Sequence, residues 1–100
     1  MAQITWARSA QDNLIEICQY IAISNLSAAL KLNQTLLEKV RRLEVFPLSG
    51  RVVLELGNVN YREIIVNPCR VIYTVKNDKV FILHVMRQEG DLRKFLLQHE

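Results

Sequence analysis

One hundred residues with 13 Lys and Arg against 10 Asp and Glu, half of them hydrophobic, describe a single domain over 1–100 with a real core rather than a disordered chain. The net charge of +3 is mildly basic, so an acidic partner or a nucleic acid is permitted but not demanded. The first residues, MAQITWARSAQDN, hold no signal-peptide core, no run approaches membrane-spanning length, and two Cys and two His are scattered without zinc spacing. The expectation is a cytoplasmic domain with no membrane partner, no metal and no cofactor, in which Cys18 and Cys69 are ordinary buried thiols.

In chain order, residues 3–6 (QITW) read as a first strand. From Ser9 the period becomes helical, with Ala10, Leu14, Ile17, Cys18 and Ile21 on one face; Ser9 is the expected N-cap, with Asp12 near the positive helix end. Residues 25–27 break the pattern, and Ser27 is the expected cap of a second helix. Its apolar stripe is either Leu30, Asn33, Leu37, Val40 and Leu43, or Leu36 and Val40. Lys39, Arg41 and Arg42 suit its C-terminal dipole, and Pro47 ends it. The short connection predicts an antiparallel helical hairpin. Turns at 47–51 and 57–60 flank a strand candidate at 52–56. Strands at 61–66, 69–75 and 79–87 follow, separated by Asn67-Pro68 and by residues 76–78. Leu92, Phe95 and Leu96 mark a short terminal helix over 91–97. The fold class is α+β, with an N-terminal helical hairpin packed on a small antiparallel β-sheet.

Arginines at 62, 70 and 87 stand among Ile, Val, Tyr and Phe. Burying a charge is costly, and alternation lets it occupy the face that the core does not use. Cys69, Val71, Tyr73 and Val75 form the more apolar side of their strand, so Arg70, Ile72 and Thr74 are expected on an open face. In the last strand Phe81, Leu83 and Val85 are the expected core set, leaving Val80, Ile82, His84 and Met86 outside, with His84 on the same surface as Arg70. Proline is excluded from the primed hairpin turns, so a connection longer than Asn67-Pro68 is expected, and the face taken by Arg62 depends on that register.

Several pieces together resemble the RelE/ParE superfamily of toxins from type II toxin–antitoxin modules. They are Trp6, Ala10 and Leu14; Ile17, Tyr20 and Ile21; Pro47-x-x-Gly50-Arg51; Tyr61-Arg62-Glu63; Arg70-Val71-Ile72-Tyr73; the strand 80–86; and Asp91-Leu92. The P-x-x-G-R and Y-R-E elements are more similar to the ParE branch. That branch implies a toxin that inhibits DNA gyrase by binding, with no catalytic residues, and is neutralised by a cognate antitoxin of ribbon-helix-helix type, through which alone it meets operator DNA. The RelE branch implies a metal-independent messenger RNA endoribonuclease, which needs a base, an acid and cations for the phosphorane charge. On that alternative Arg62, Arg70, His84 and Arg87 are the candidate catalytic residues. Arg87 stands where many relatives carry a His or Tyr, and Cys69 replaces a usual Tyr. A third reading is a non-toxic relative acting as an antitoxin-binding corepressor. Under the resemblance, Arg70, Ile72, Ile82, His84 and Arg87 are the candidate antitoxin contacts, Arg70 meeting antitoxin carboxylates.

Overall fold

The computed structural model describes residues 1–57 and 60–89. The helix expected over 91–97 lies outside the described residues. Strand β1 (Gln3–Trp6) leads into helix α1 (Arg8–Ser24) and helix α2 (Leu26–Arg41), followed by a 3-10 turn over Arg42–Glu44. Strand β2 (Arg51–Val52), a 3-10 turn over Leu54–Leu56, and strands β3 (Arg62–Val66), β4 (Cys69–Lys76) and β5 (Lys79–Arg87) follow. The sheet order is β1-β5-β4-β3-β2. The architecture is α+β, as read from the sequence, with two departures in the sheet: the strand expected over 52–56 stops at Val52 and gives way to the 3-10 turn over Leu54–Leu56, and β1 pairs with β5 in parallel, Gln3 opposite Lys79 and Trp6 opposite Ile82. The long connection through both helices permits that pairing, which no tight turn could make.

Both helix starts differ from the capping expectation. Helix α1 begins after Ala7, whose side chain caps nothing. The Ala7 N–H donates instead to the Ile82 carbonyl at 2.8 Å, so β5 anchors the helix entry and Ser9 falls inside the first turn. Asn25 does the work expected of Ser27. Its N–H donates to the Ile21 carbonyl at 2.9 Å, closing α1, and its side chain accepts from the Ala28 N–H at 3.0 Å, opening α2. Of the two stripes read on α2, the second, Leu36 and Val40, is buried; Ala29 and Leu32, named in neither, extend it, and Leu43 of the first continues it. Leu30 and Leu37 are exposed.

The helices cover one sheet face. Leu14, Leu32, Leu36 and Val40 pack there on Val66, Cys69, Val71, Tyr73, Val80, Ile82 and Val85. A fully buried Leu36 contributes about 1.5–3 kcal/mol of transfer free energy. The inward side of β4 is the expected one. In β5 the expectation fails for the first part of the strand: Val80 and Ile82 face the helices and are fully buried. The reason is a bulge. Ile72 pairs with His84 and Tyr73 with Ile82, leaving Leu83 unpaired and reversing the alternation at that point. After the bulge Val85 is inward, and His84 and Met86 lie on the other side, as the period predicts.

The two hairpins are tight. Val66 pairs with Cys69 across a two-residue turn in which the Asn67–Pro68 peptide is cis, the arrangement with proline at the third turn position. The longer loop expected from proline's exclusion from primed turns is therefore absent. Lys76 pairs with Lys79 around Asn77 and Asp78, which take φ of 52° and 60°, the conformation of a primed two-residue turn.

Candidate functional site

The sheet face away from the helices is not open. Val53, Leu56 and Tyr61, from the connection between β2 and β3, lie over Ile72, Leu83 and Met86 as a second small core. Gly57, at φ 59°, closes the 3-10 turn that carries Leu56 into place. Alternation assigns residues to faces, but it does not say which loop lies over a face, and here the apolar Val53 and Leu56 settle that.

Beneath this connection the family-like motifs form one interlocked polar network. The Arg70 Nε donates to Glu63 Oε1 at 3.0 Å and its Nη2 donates to Glu63 Oε2 at 2.7 Å. Its Nη1 and Nη2 also donate to Glu55 at 2.8 and 3.3 Å, so the guanidinium meets two carboxylates with paired donors. Arg70 is 7% exposed and Glu63 is 2% exposed. The hydrogen bonds that Arg70 donates to Glu63, and then to Glu55, hold its guanidinium still more firmly protonated against the opposing effect of burial. The bond from Arg70 holds the Glu55 carboxyl below its ordinary value. Arg51 adds a third partner, donating to Glu63 Oε1 at 3.3 Å from the solvent side.

On the helix side of the same strands, Tyr73 and Arg62 hold the turn that precedes β2. The Tyr73 hydroxyl donates to the Pro47 carbonyl and accepts from the Gly50 N–H, each at 2.8 Å. Burial raises the Tyr73 pKa, opposed by the Gly50 N–H and by nearby Arg62. Arg62 Nη1 donates to the carbonyls of Gly50 at 2.8 Å and Leu48 at 3.2 Å. Gly50 is required by close approach: a Cβ there would collide with the Tyr73 hydroxyl and would lie 2.7 Å from the Glu63 carbonyl oxygen. P-x-x-G-R, Y-R-E and the R-x-x-Y of β4 are thus parts of a single fastening.

The candidate residues are therefore dispersed. Arg62 and Arg70 lie on opposite faces, because β3 pairs Ile65 with Arg70 and Arg62 with Tyr73. The expectation that Arg70 stands clear on an open positive face is overturned. Ile72 and Ile82 are both fully buried, Ile72 under the β2–β3 connection and Ile82 under the helices, so neither offers surface to a partner in this structure. His84 is half-buried and shares the face of Arg70, as expected. Arg87 is at the far end of β5, beside Cys69, where its Nε donates to Glu89 at 2.8 Å. Cys69 is buried, and desolvation pushes its thiol up to about 11. Cys18 is partly buried and is also raised by desolvation. Among the described residues no group of three or more His, Cys, Asp or Glu could hold a metal ion, and no helix is long and apolar enough to cross a membrane.

The exposed positive surface lies instead between α2 and β3. Lys31, Lys39 and Arg87 line one groove there, and Lys39, Arg42 and Arg51 line the next. Sequence reasoning assigned Lys39 and Arg42 to dipole compensation and did not single out Lys31. The four- and three-residue steps through Lys31, Thr35, Lys39 and Arg42 were the signal that they share one side of the helix.

Comparison with known proteins places these features. The family model described as ParE toxin of type II toxin-antitoxin system, parDE, matches residues 4–92. A solved structure of the chromosomal ParDE toxin–antitoxin system from P. aeruginosa is 24% identical, with a TM-score of 0.75 over 89% of this chain and 98% of that one, and so shares the fold. The conserved hypothetical protein HP0894 from Helicobacter pylori is 13% identical over 90% of this chain and 98% of its own, at a TM-score of 0.43 that is too low to speak for a common fold. No curated protein matches the chain.

Proposed function

The chain belongs to the ParE toxin family of type II toxin–antitoxin systems, and on that footing we propose that it inhibits DNA gyrase by binding and is neutralised by a cognate antitoxin. The family implies the antitoxin partner; its ribbon-helix-helix type, and contact with operator DNA only through it, are part of the proposal. The observation that supports binding over RNA cleavage is the state of Arg70. Phosphoryl transfer to a 2′-hydroxyl needs a cation free to meet the developing phosphorane charge. Arg70 is instead held between Glu63 and Glu55, and Arg62 is spent on the carbonyls of Leu48 and Gly50. His84 and Arg87 are the two remaining ribonuclease candidates, and Arg87 is engaged by Glu89.

The reading is tested by inducing the chain in bacteria while following plasmid supercoiling and messenger RNA integrity, alongside supercoiling by purified gyrase in vitro. Inhibited supercoiling with intact messenger RNA is the expected result. Site-specific messenger RNA cleavage with normal supercoiling would replace it by the endoribonuclease reading. Unaffected growth, with a stable complex formed with the antitoxin, would replace it by the corepressor reading.

A further inference from the structure

The segment between the helices and β2 carries apolar surface that the fold does not use. Val45, Phe46 and Leu48 are 57%, 64% and 61% exposed, and none of them belongs to either core cluster of the described residues. Single exposed apolar side chains are ordinary, but three within four residues make a patch. The patch sits on a tight turn. The Phe46 N–H donates to the Arg42 carbonyl at 3.0 Å, and the Ser49 N–H donates to the Phe46 carbonyl at 3.1 Å, with Pro47 second in the turn. The backbone is also gripped from beneath. Buried Tyr73 bonds the Pro47 carbonyl and the Gly50 N–H, and Arg62 bonds the Leu48 and Gly50 carbonyls. Every one of these bonds runs to main-chain atoms of the turn. Polar side chains at 46 and 48 would keep them all, so the fastening does not account for a phenylalanine and a leucine held in water. The charge beside the turn has one sign. Arg42 before it and Arg51 after it line a groove with Ser49 and Gly50, whose one carboxylate, Glu63, is buried and held by Arg70. Glu44 lines a different groove, with Arg41.

We propose that the turn over residues 45–48 is the surface by which the chain grips gyrase, with Phe46 and Leu48 entering an apolar socket whose rim carries carboxylates facing Arg42 and Arg51. This rests on the gyrase reading given above and names the contact through which that inhibition is exerted. A small contact carries its affinity on a few central anchors, aromatic ones above all, and Phe46 with Leu48 supplies them. Binding normally costs the ordering of a loop; here Tyr73 and Arg62 have ordered it beforehand, so less of the gain is lost. The arginines at its flanks select a partner of opposite charge and disfavour a second copy, which would bring Arg42 and Arg51 against their own kind. The fastening made by P-x-x-G-R, Y-R-E and R-x-x-Y thereby acquires a task beyond stability, that of keeping one turn in the shape that the partner meets.

The test titrates the whole chain against purified gyrase and reads the concentration that halves supercoiling. The parent is compared with F46S/L48S, with R42E, and with K79E as a charge control at the exposed β4–β5 hairpin. Expected is half-inhibition at a concentration roughly tenfold higher for F46S/L48S, several-fold higher for R42E and unaltered for K79E. The melting temperature of F46S/L48S is expected to equal the parent's, since neither side chain packs in a core cluster. A lowered melt would place these side chains in the fold itself and overturn the proposal. A parent and an F46S/L48S variant that inhibit equally overturn the turn as the contact and leave the gyrase reading standing. A parent without effect on purified gyrase removes that reading, and the contact with it. Two further outcomes reassign the turn when inhibition is equal: self-association of the parent in sedimentation that F46S/L48S lacks gives it to a second copy, and weakened binding of the variant to the antitoxin gives it to that partner.

Discussion

Glu63 is a carboxylate with 2% of its surface exposed, and three hydrogen bonds from Arg70 and Arg51 hold it there. Removing one partner of a buried ion pair costs about 3–5 kcal/mol, chiefly because the other charge is left without compensation. Arg70→Met is accordingly expected to destabilise by about 3 kcal/mol in urea unfolding, at the low end because Arg51 stays. The double variant Arg70→Met with Glu63→Leu is expected to recover most of that loss. Equal losses in the single and double variants would mean that Glu63 is not what Arg70 stabilises. Gly50→Ala is expected to cost about 1–3 kcal/mol through overpacking, since the Tyr73 ring it meets is fully buried and has nowhere to go. A thermal melt unchanged from the parent would refute the close approach. At this scale the arginines were visible in the sequence, and so was the strain of placing them in apolar strands. Their partners were not, because Glu63 meets Arg70 across the β3–β4 hairpin, whose register the turn at Asn67-Pro68 sets, and Glu55 reaches it from 15 residues away through a connection whose path no local pattern records.

Helices and strands were legible from period, since the 3.6-residue spacing of α1 and α2 and the alternation of β3 to β5 are properties of each segment alone. Caps and bulges were less so. Asn25→Ala is expected to cost about 1 kcal/mol, and Ser27→Ala a small fraction of that, because the Asn25 side chain accepts the Ala28 N–H. Melting temperatures of the two variants check the assignment, and a larger effect at Ser27 would reverse it. The start of α1 has no such local determinant. It rests on the Ala7 N–H reaching the Ile82 carbonyl, a contact between residues far apart in sequence. The bulge at Leu83 has the same character: a single unpaired residue turns Val80 and Ile82 inward, and the apolar run from Val80 to Val85 is consistent with either assignment.

One core joins the ends of the described chain. Strand β1 pairs with β5, α1 packs on β5, and both helices share the cluster that Val71, Tyr73 and Val80 complete. Unfolding is therefore expected to be cooperative. Fluorescence of Trp6, the chain's single tryptophan, and far-ultraviolet circular dichroism of the helices should give superimposable urea transitions. An earlier transition at Trp6 would mean that β1 detaches independently. At the same scale the positive surface moved from the sheet face to the cleft between α2 and β3, because the β2–β3 connection covers the sheet face and leaves the short β2 as an incomplete edge.

By itself the amino-acid order determined the α+β class, the helical hairpin and most of the strands, since each depends on composition and spacing within a few tens of residues; the resemblance to a toxin family rested on the ordered motifs from Trp6 to Leu92. The tertiary structure alone decided that Arg70 faces two carboxylates, that Ile72 and Ile82 are interior, and that, among the described residues, β2 pairs with Arg62 and Glu63 alone, leaving Ile65 in a groove with Lys39. These depend on which loop covers which face and where a strand stops, and both are set by packing between segments distant in the chain.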